Sequence, residues 1–454
     1  MRLVHAIPLL GWLVLAISAV PLGAAEPESA AQRGYRLLTT KAYLPPDFDD
    51  EVFAELWKTW PAAERAKAET ATPAERRAMT FSRYGLIEAP ERGGKGTALG
   101  YVADGSGGWV MNCLVCHGGQ LMGKAVPGLP NSHYGLSNLT ADVTTTKVRL
   151  KKPLGHMEMG AMGMPLGGTN GTTNAVAFGV ALESFRDKDM NVHKEYPLQK
   201  LVHHDLDAPP FWLLKKKTHL YYDAFVKKGH RPLLQFILLP RNTAEVLRDW
   251  EGDYQDILAW IESLEPPKYP WPVDAALAAK GEKLFGNSCS NCHGTYGEKG
   301  VYPNKLIPIA EIGTDRVRLD SLSSTYRQKF GESWMAHYDL KNVRTDPGGY
   351  LAPPLDGIWA SAPYLHNGSV PTLWHLFHSK QRPVVWKRTE NGYDREKMGL
   401  EVTTFNTVPE KLEPSEQRGY FDTRMRSKSS VGHDFPDELT EDEKTAVLEY
   451  LKTL

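Results

Sequence analysis

The four cysteines of the chain form two copies of one pattern, Cys113-Leu114-Val115-Cys116-His117 and Cys289-Ser290-Asn291-Cys292-His293. A Cys-x-x-Cys-His run is the attachment signature of a c-type haem. Two sulfurs one helical turn apart reach the two vinyl groups as thioethers. The histidine that follows is placed under the iron as an axial ligand, and ligand identity sets much of the reactivity. Other uses of paired cysteines fit less well. A thioredoxin-like dithiol gives no reason for two copies each followed by His. A zinc site requires two distant pairs to converge and leaves both histidines unexplained. Disulfides across two-residue spacers close strained rings. The pattern therefore predicts two covalently bound haem c, with His117 and His293 on the irons.

The two settings differ. Ala275 to Phe285 runs as a helix directly into the second motif, whereas Gly105, Gly107, Gly108 and Trp109 bring the chain to the first from a loop. Unlike surroundings imply unlike haems, one to transfer electrons and one to react. For a sixth ligand, His433 is the leading candidate, in Val431-Gly432-His433-Asp434-Phe435 just before the last helix; Met398 and Met425 are alternatives. Met157, Met159, Met162 and Met164 lie beside His156. They read as flexible packing or as soft thioether ligands. Phe211 and Trp212, in Pro209-Pro210-Phe211-Trp212, read equally as core residues or as a wall of the first haem's distal pocket. His366 and Asn367 read as propionate partners or as residues that shape a turn.

These residues need elements to position them. The chain has 454 residues and a net charge of −1, with 53 Lys+Arg against 54 Asp+Glu. That balance excludes a basic footprint for nucleic acid. An apolar content of 41% and four cysteines exclude disorder and a disulfide scaffold. Arg2 followed by a neutral, apolar run to Ala25 reads as a signal peptide over 1–25, so the mature chain is expected to be periplasmic or secreted. Residues 118–175, rich in Gly, Thr and Asn, read as long loops. A helix is predicted from Thr243 to Leu264, started by Asn242 with Glu245 and stopped by Pro266-Pro267. A domain boundary is placed there, giving an N-terminal domain over 26–268 with the first haem and a cytochrome c domain over 269–454 with the second. Further helices are expected from Asp274 to Phe285 and from Thr440 onward. The fold class expected is mainly α, with two cytochrome c-like haem domains, long loops and little β.

Ala362-Pro363-Tyr364-Leu365-His366-Asn367-Gly368-Ser369 resembles the Pro-Tyr-x-His-x-Gly-Ser loop of the dihaem cytochrome c peroxidase and MauG superfamily. Ala208 to Lys215, Tyr269-Pro270-Trp271-Pro272-Val273-Asp274, Gly294-Thr295-Tyr296-Gly297, Gly313-Thr314-Asp315 and Gly432-His433-Asp434-Phe435 are similar to the rubber oxygenase (RoxA-like) branch. The resemblance runs from about Met79 to the C-terminus. It implies two covalent haems, His433 as distal ligand of the second, and an open distal side on the first, lined by Phe211 and Trp212. Members cleave a double bond in polyisoprene with dioxygen, or reduce peroxide. The family pattern has two adjacent tryptophans where this chain has Phe211-Trp212.

Three functions are open at this stage. They are a dihaem oxidoreductase acting on dioxygen or peroxide at the first haem, a non-catalytic electron carrier, and a haem-based gas-binding sensor. A small redox protein or a membrane electron-transport component is the expected partner, and a calcium ion between the domains is compatible with the sequence.

Overall fold

The computed structural model describes residues 27–164, 166–193 and 202–454. The segment 1–25, expected to be a signal peptide, lies outside them. The chain is mainly α with some β. Among the described residues, the strands form two three-stranded and three two-stranded sheets.

The first motif is delivered by the central strand of a three-stranded sheet. Gly108–Met111 pairs with Phe48–Asp49 on one side and Tyr101–Ala103 on the other, both antiparallel. The strand ends one residue before Asn112, whose side chain caps Leu114 N–H at 2.8 Å and starts the turn Leu114–His117. A hairpin, Gly118–Leu121 with Lys124–Pro127, follows at once.

The predicted helix at 243–264 is two helices, Ala244–Asp249 and Glu251–Ser263, broken at Trp250. Its cap is Thr243, which accepts from Val246 N–H; Asn242 is buried and its amide donates to Tyr43 and Ile237 carbonyls. Tyr254, Ile257, Trp260 and Ile261 are buried on one stripe, as the periodicity required. Against that stripe lies Ala30–Thr40. Gly34 makes the approach feasible, since a Cβ there would stand 2.0 Å from the Asp256 carbonyl oxygen. Arg33 then pairs with the Asp256 carboxylate at 2.8 Å.

The second motif follows Ala275–Ser288, capped by Asp274. This helix crosses the terminal helix Glu441–Leu451, whose Thr440–Glu443 capping box is present as expected. Gly281 is the crossing point: a Cβ there would lie 1.9 Å from the Ala446 carbonyl oxygen.

Two expectations need correction. Residues 118–175 are not merely loops, because Leu136–Arg149 and His156–Gly163 are helical. Threonine-rich sequence is a poor helix former, but Leu139, Val143, Thr146 and Lys147 are buried, and tertiary packing overrides propensity. The long antiparallel pair Val385–Asp394 and Gly399–Phe405, with Tyr420–Asp422 at its other edge, is a β unit the sequence reading passed over. Of the three cores, two draw on both sides of residue 268. Trp212 and Leu213 join Phe285, Trp359 and Leu451, whereas Tyr326 and Phe330 join Leu247 and Trp260.

Candidate functional site

Both motif histidines are held the same way. His117 Nδ1 is 3.0 Å from the Pro209 carbonyl oxygen, and His293 Nδ1 is 2.8 Å from that of Pro353. A carbonyl only accepts, so Nδ1 carries the proton and Nε2 presents its lone pair. Burial holds His117 neutral by lowering its pKa to about 4, and lowers that of His293 too. Both imidazoles are thus oriented and protonated as iron ligands require. Burial pushes the thiols up, Cys113 and Cys289 to about 11 and Cys116 to about 12. Reactive redox dithiols show the opposite shift. Among the described residues, no three His, Cys, Asp or Glu side chains converge as a metal-ion cluster.

Around the second motif, His433 stands opposite His293 with ring centroids 6.1 Å apart. An imidazole nitrogen binds a metal at about 2.0 Å and lies roughly 1.1 Å from its ring centre, so two rings sharing one iron stand about 6.2 Å apart. The gap fits one iron. His433 Nδ1 is buried without a partner. The loop bearing it is built for position. Gly432 has φ 77°, and a Cβ on it would fall 2.3 Å from the Gly313 carbonyl carbon. His433 N–H donates to the Ile312 carbonyl at 2.8 Å. Arg382 clamps the same loop from the other side, donating to the carbonyls of Ser430, Gly432 and His433. Its remaining N–H groups reach His375 and Leu376 carbonyls. Asn367 completes the support, its amide donating to the Ser427 and Ser429 carbonyls. The other candidates for this position are Met425 and Met398. Met425 is exposed, and Met398 is buried in the core beneath Tyr364.

Around the first motif the arrangement departs from the expectation. Phe211 stacks on His117, with centroids 3.9 Å apart and planes 16° from parallel. A ring in contact with the imidazole face lies on the same side of the iron as His117, so Phe211 is proximal rather than part of a distal wall. Its own position is fixed by Gly128, whose carbonyl accepts from Phe211 N–H and whose N–H donates to the His117 carbonyl. Trp212 is buried in the second motif's core, its indole N–H donating to the Asp356 carbonyl at 2.8 Å. Proline at 209 and 210 explains both: Pro210 precedes a short 3-10 turn, Phe211–Lys215, which sends successive side chains to different sides. The methionines near His156 form no converged site, since Met159 and Met162 are exposed. His156 itself lies 3.2 Å from Asp47.

The two proximal anchors are cross-linked. Tyr222 O–H donates to the Asp207 carbonyl at 3.1 Å, two residues before Pro209. Its own carbonyl accepts from Leu351 N–H at 2.7 Å, two residues before Pro353. Trp212 adds a second link, from three residues after Pro209 to three residues after Pro353. His366 lies beside this bridge, its ring 4.4 Å from that of Tyr350 and 6.0 Å from that of Tyr222. Neither Arg382 nor Tyr222 stood out in the sequence, because no short motif surrounds either.

Residues 349–387 match the family described as RoxA-like, cytochrome c-like. That stretch holds Pro353, the His366 loop and Arg382. The chain is also similar to two proteins of Sinorhizobium fredii (strain NBRC 101917 / NGR234). One, the uncharacterized protein y4iM, is 33% identical over 202 residues, 38% of this chain and 45% of the relative. The other, the uncharacterized protein y4iJ, is 27% identical over 294 residues, 50% of this chain and 48% of the relative. The chain spans about half the length of these curated relatives. The family match supports a cytochrome c-like domain that includes residues 349–387, and such a domain implies covalently bound haem c and a redox function.

Proposed function

We propose that this chain is an exported dihaem c-type cytochrome, an oxidoreductase acting on dioxygen or peroxide at the haem of Cys113 and Cys116, with the haem of Cys289 and Cys292 as its electron relay. One asymmetry carries this reading. His433 faces His293 at the spacing of two imidazoles on one iron, and among the described residues no histidine ring faces His117 in that way. A six-coordinate haem leaves no position for an oxygen ligand, and an open one does.

Bound haem supplies the redox-active iron; the chain supplies everything that directs it. The Pro209 and Pro353 carbonyls fix the two proximal imidazoles. Phe211 restrains rotation of the His117 ring. His433, held by Gly432 and Arg382, closes the second site. Tyr222 and Trp212 join the two anchoring segments and give electrons a short route through packed protein. The apolar N-terminal run supports export to the periplasm or beyond the cell, with a small redox protein or a membrane electron-transport component as the donor.

A haem count by pyridine haemochrome with a ferrous carbon monoxide spectrum tests the reading. Two haems are expected per chain, one binding carbon monoxide in the wild type and both in His433→Ala. Consumption of peroxide, or of dioxygen with an alkene, then follows at the open haem. One haem per chain refutes the dihaem assignment. Two haems both closed to carbon monoxide make the protein an electron carrier, and ligand binding without turnover makes it a gas sensor.

A further inference from the structure

Beside the bridge between the two anchors lies a buried charge cluster that the reading above does not use. Asp223, the residue after Tyr222, accepts from Arg318 Nη2 at 3.1 Å and from Arg327 Nη2 at 2.6 Å. The Arg318 and Arg327 side chains are 1% exposed and that of Asp223 is 0%. Arg327 Nε also donates to the Leu322 carbonyl. Three guanidinium nitrogens remain buried with no partner: Arg318 Nε, Arg318 Nη1 and Arg327 Nη1.

The neighbours do not supply the missing acceptor. Lys217 adds positive charge on the Asp223 side, although burial lowers its pKa to about 8. Burial holds His204 and His366 neutral, at about 4 and about 3. Glu183 is committed to Tyr326 O–H, and burial pushes its carboxyl up to about 7. Asp205 is taken by Lys428. Two guanidinium groups therefore share one carboxylate in a dry interior, and such groups persist there only when paired and hydrogen-bonded. The free Nε–H and Nη1–H of Arg318 lie on different edges of its guanidinium, and with Arg327 Nη1–H they call for anionic oxygen acceptors such as those of a carboxylate.

The position points to the source. Arg318 follows Asp315, whose carboxylate accepts from Ser429 N–H in the chain leading to His433. The adjacent Leu319 N–H donates to Tyr350 O–H, on the strand that leads to Pro353. Tyr222 ties the Asp223 side to the His117 anchor.

We propose that Arg318 and Arg327 form the seat of a carboxylate, supplied by a haem propionate or by a small carboxylate molecule. This rests on the haem reading above.

The test uses the full-length holoprotein, with haem counted first in every variant. A count of zero in the wild type rejects the haem reading and leaves the seat to be judged on formate alone. Redox titration of wild type, Arg318→Leu and Arg318→Lys, and thermal shift with added formate, make up the two arms. If the seat holds a propionate, Arg318→Leu lowers the potential of one haem by about a tenfold change in its reduction equilibrium, about 59 mV for one electron, and leaves the other unmoved. Arg318→Lys, which retains the charge and loses the planar array of donors, moves the same haem less and serves if the leucine variant does not fold. If the seat holds a free carboxylate, formate raises the melting temperature of the wild type and not of the variants, with potentials unchanged. Variants that keep both potentials, in a protein indifferent to formate, overturn the proposal.

Discussion

Arg382→Ala removes the clamp on the His433 loop without touching either candidate ligand. The guanidinium donates to three loop carbonyls, at Ser430, Gly432 and His433. A hydrogen bond from a charged donor contributes about 1.5–3 kcal/mol when buried. Arg382 is half-buried, so water replaces part of each bond and about 1 kcal/mol apiece is the better figure. Loss of some 3 kcal/mol from the ordered loop raises the dissociation equilibrium of His433 on the order of a hundredfold, at 1.4 kcal/mol per factor of ten. Carbon monoxide binding to the second ferrous haem waits for His433 to leave, so its rate reports that equilibrium directly in a flash or stopped-flow assay. The expected outcome is a rate about a hundredfold above wild type with the ferric haem still mainly low-spin. Arg382→Lys, which offers three donors at a single point, should recover part of the loss. An unchanged rate in Arg382→Ala, with the second haem intact, refutes the argument that this side chain positions His433.

Phe211→Ala removes the ring stacked on His117. Both haems should remain attached, and ligand binding at the first haem should change severalfold while the second haem's spectrum is unaltered; identical carbon monoxide kinetics would show that the stacking has no bearing on the iron. Gly281→Ala drives a methyl into the Ala446 carbonyl where the two C-terminal helices cross. A loss of about 1–3 kcal/mol in urea unfolding is expected, as for other overpacked interiors. Asp47 is buried beside His156, and burial raises its carboxyl from 3.8 to about 8. Across that window the folded state keeps a proton that the unfolded chain has released, so this contribution is fully present below about pH 4 and is lost as pH rises through about 8. Asp47→Asn, which still accepts from Met111 N–H, should flatten the fall of melting temperature between pH 5 and 8; parallel curves for the two proteins would exclude Asp47 as its source.

What the amino-acid order settles here is what depends on near neighbours. Cys113, Cys116 and His117 are close neighbours in sequence, as are Cys289, Cys292 and His293, so the attachment signature is written in five residues wherever the segment lands. Asp274 and Thr440 start their helices because a cap needs only the N–H groups of the next turn. Distant partners decide the rest. Thr243 rather than Asn242 caps its helix because Asn242 is drawn inward to Tyr43 and Ile237. The helix at Leu136–Arg149 forms on residues that favour it weakly, since its buried stripe outweighs propensity. Phe211 and Trp212 are adjacent in sequence, yet one lies on His117 and the other in the core of the second motif, a separation made by the turn and by Gly128. The sequence singles out His433 by its place before the last helix and by the string Gly432-His433-Asp434-Phe435, but not its spacing from His293. His433 faces His293 because Gly313, more than a hundred residues earlier, admits Gly432 at backbone contact and because Arg382 holds the carbonyls on either side. Covalent chemistry and capping act over one turn and are legible in order; the spacing of two imidazoles is a sum of packing and hydrogen bonds across the whole chain, and only the folded protein states it.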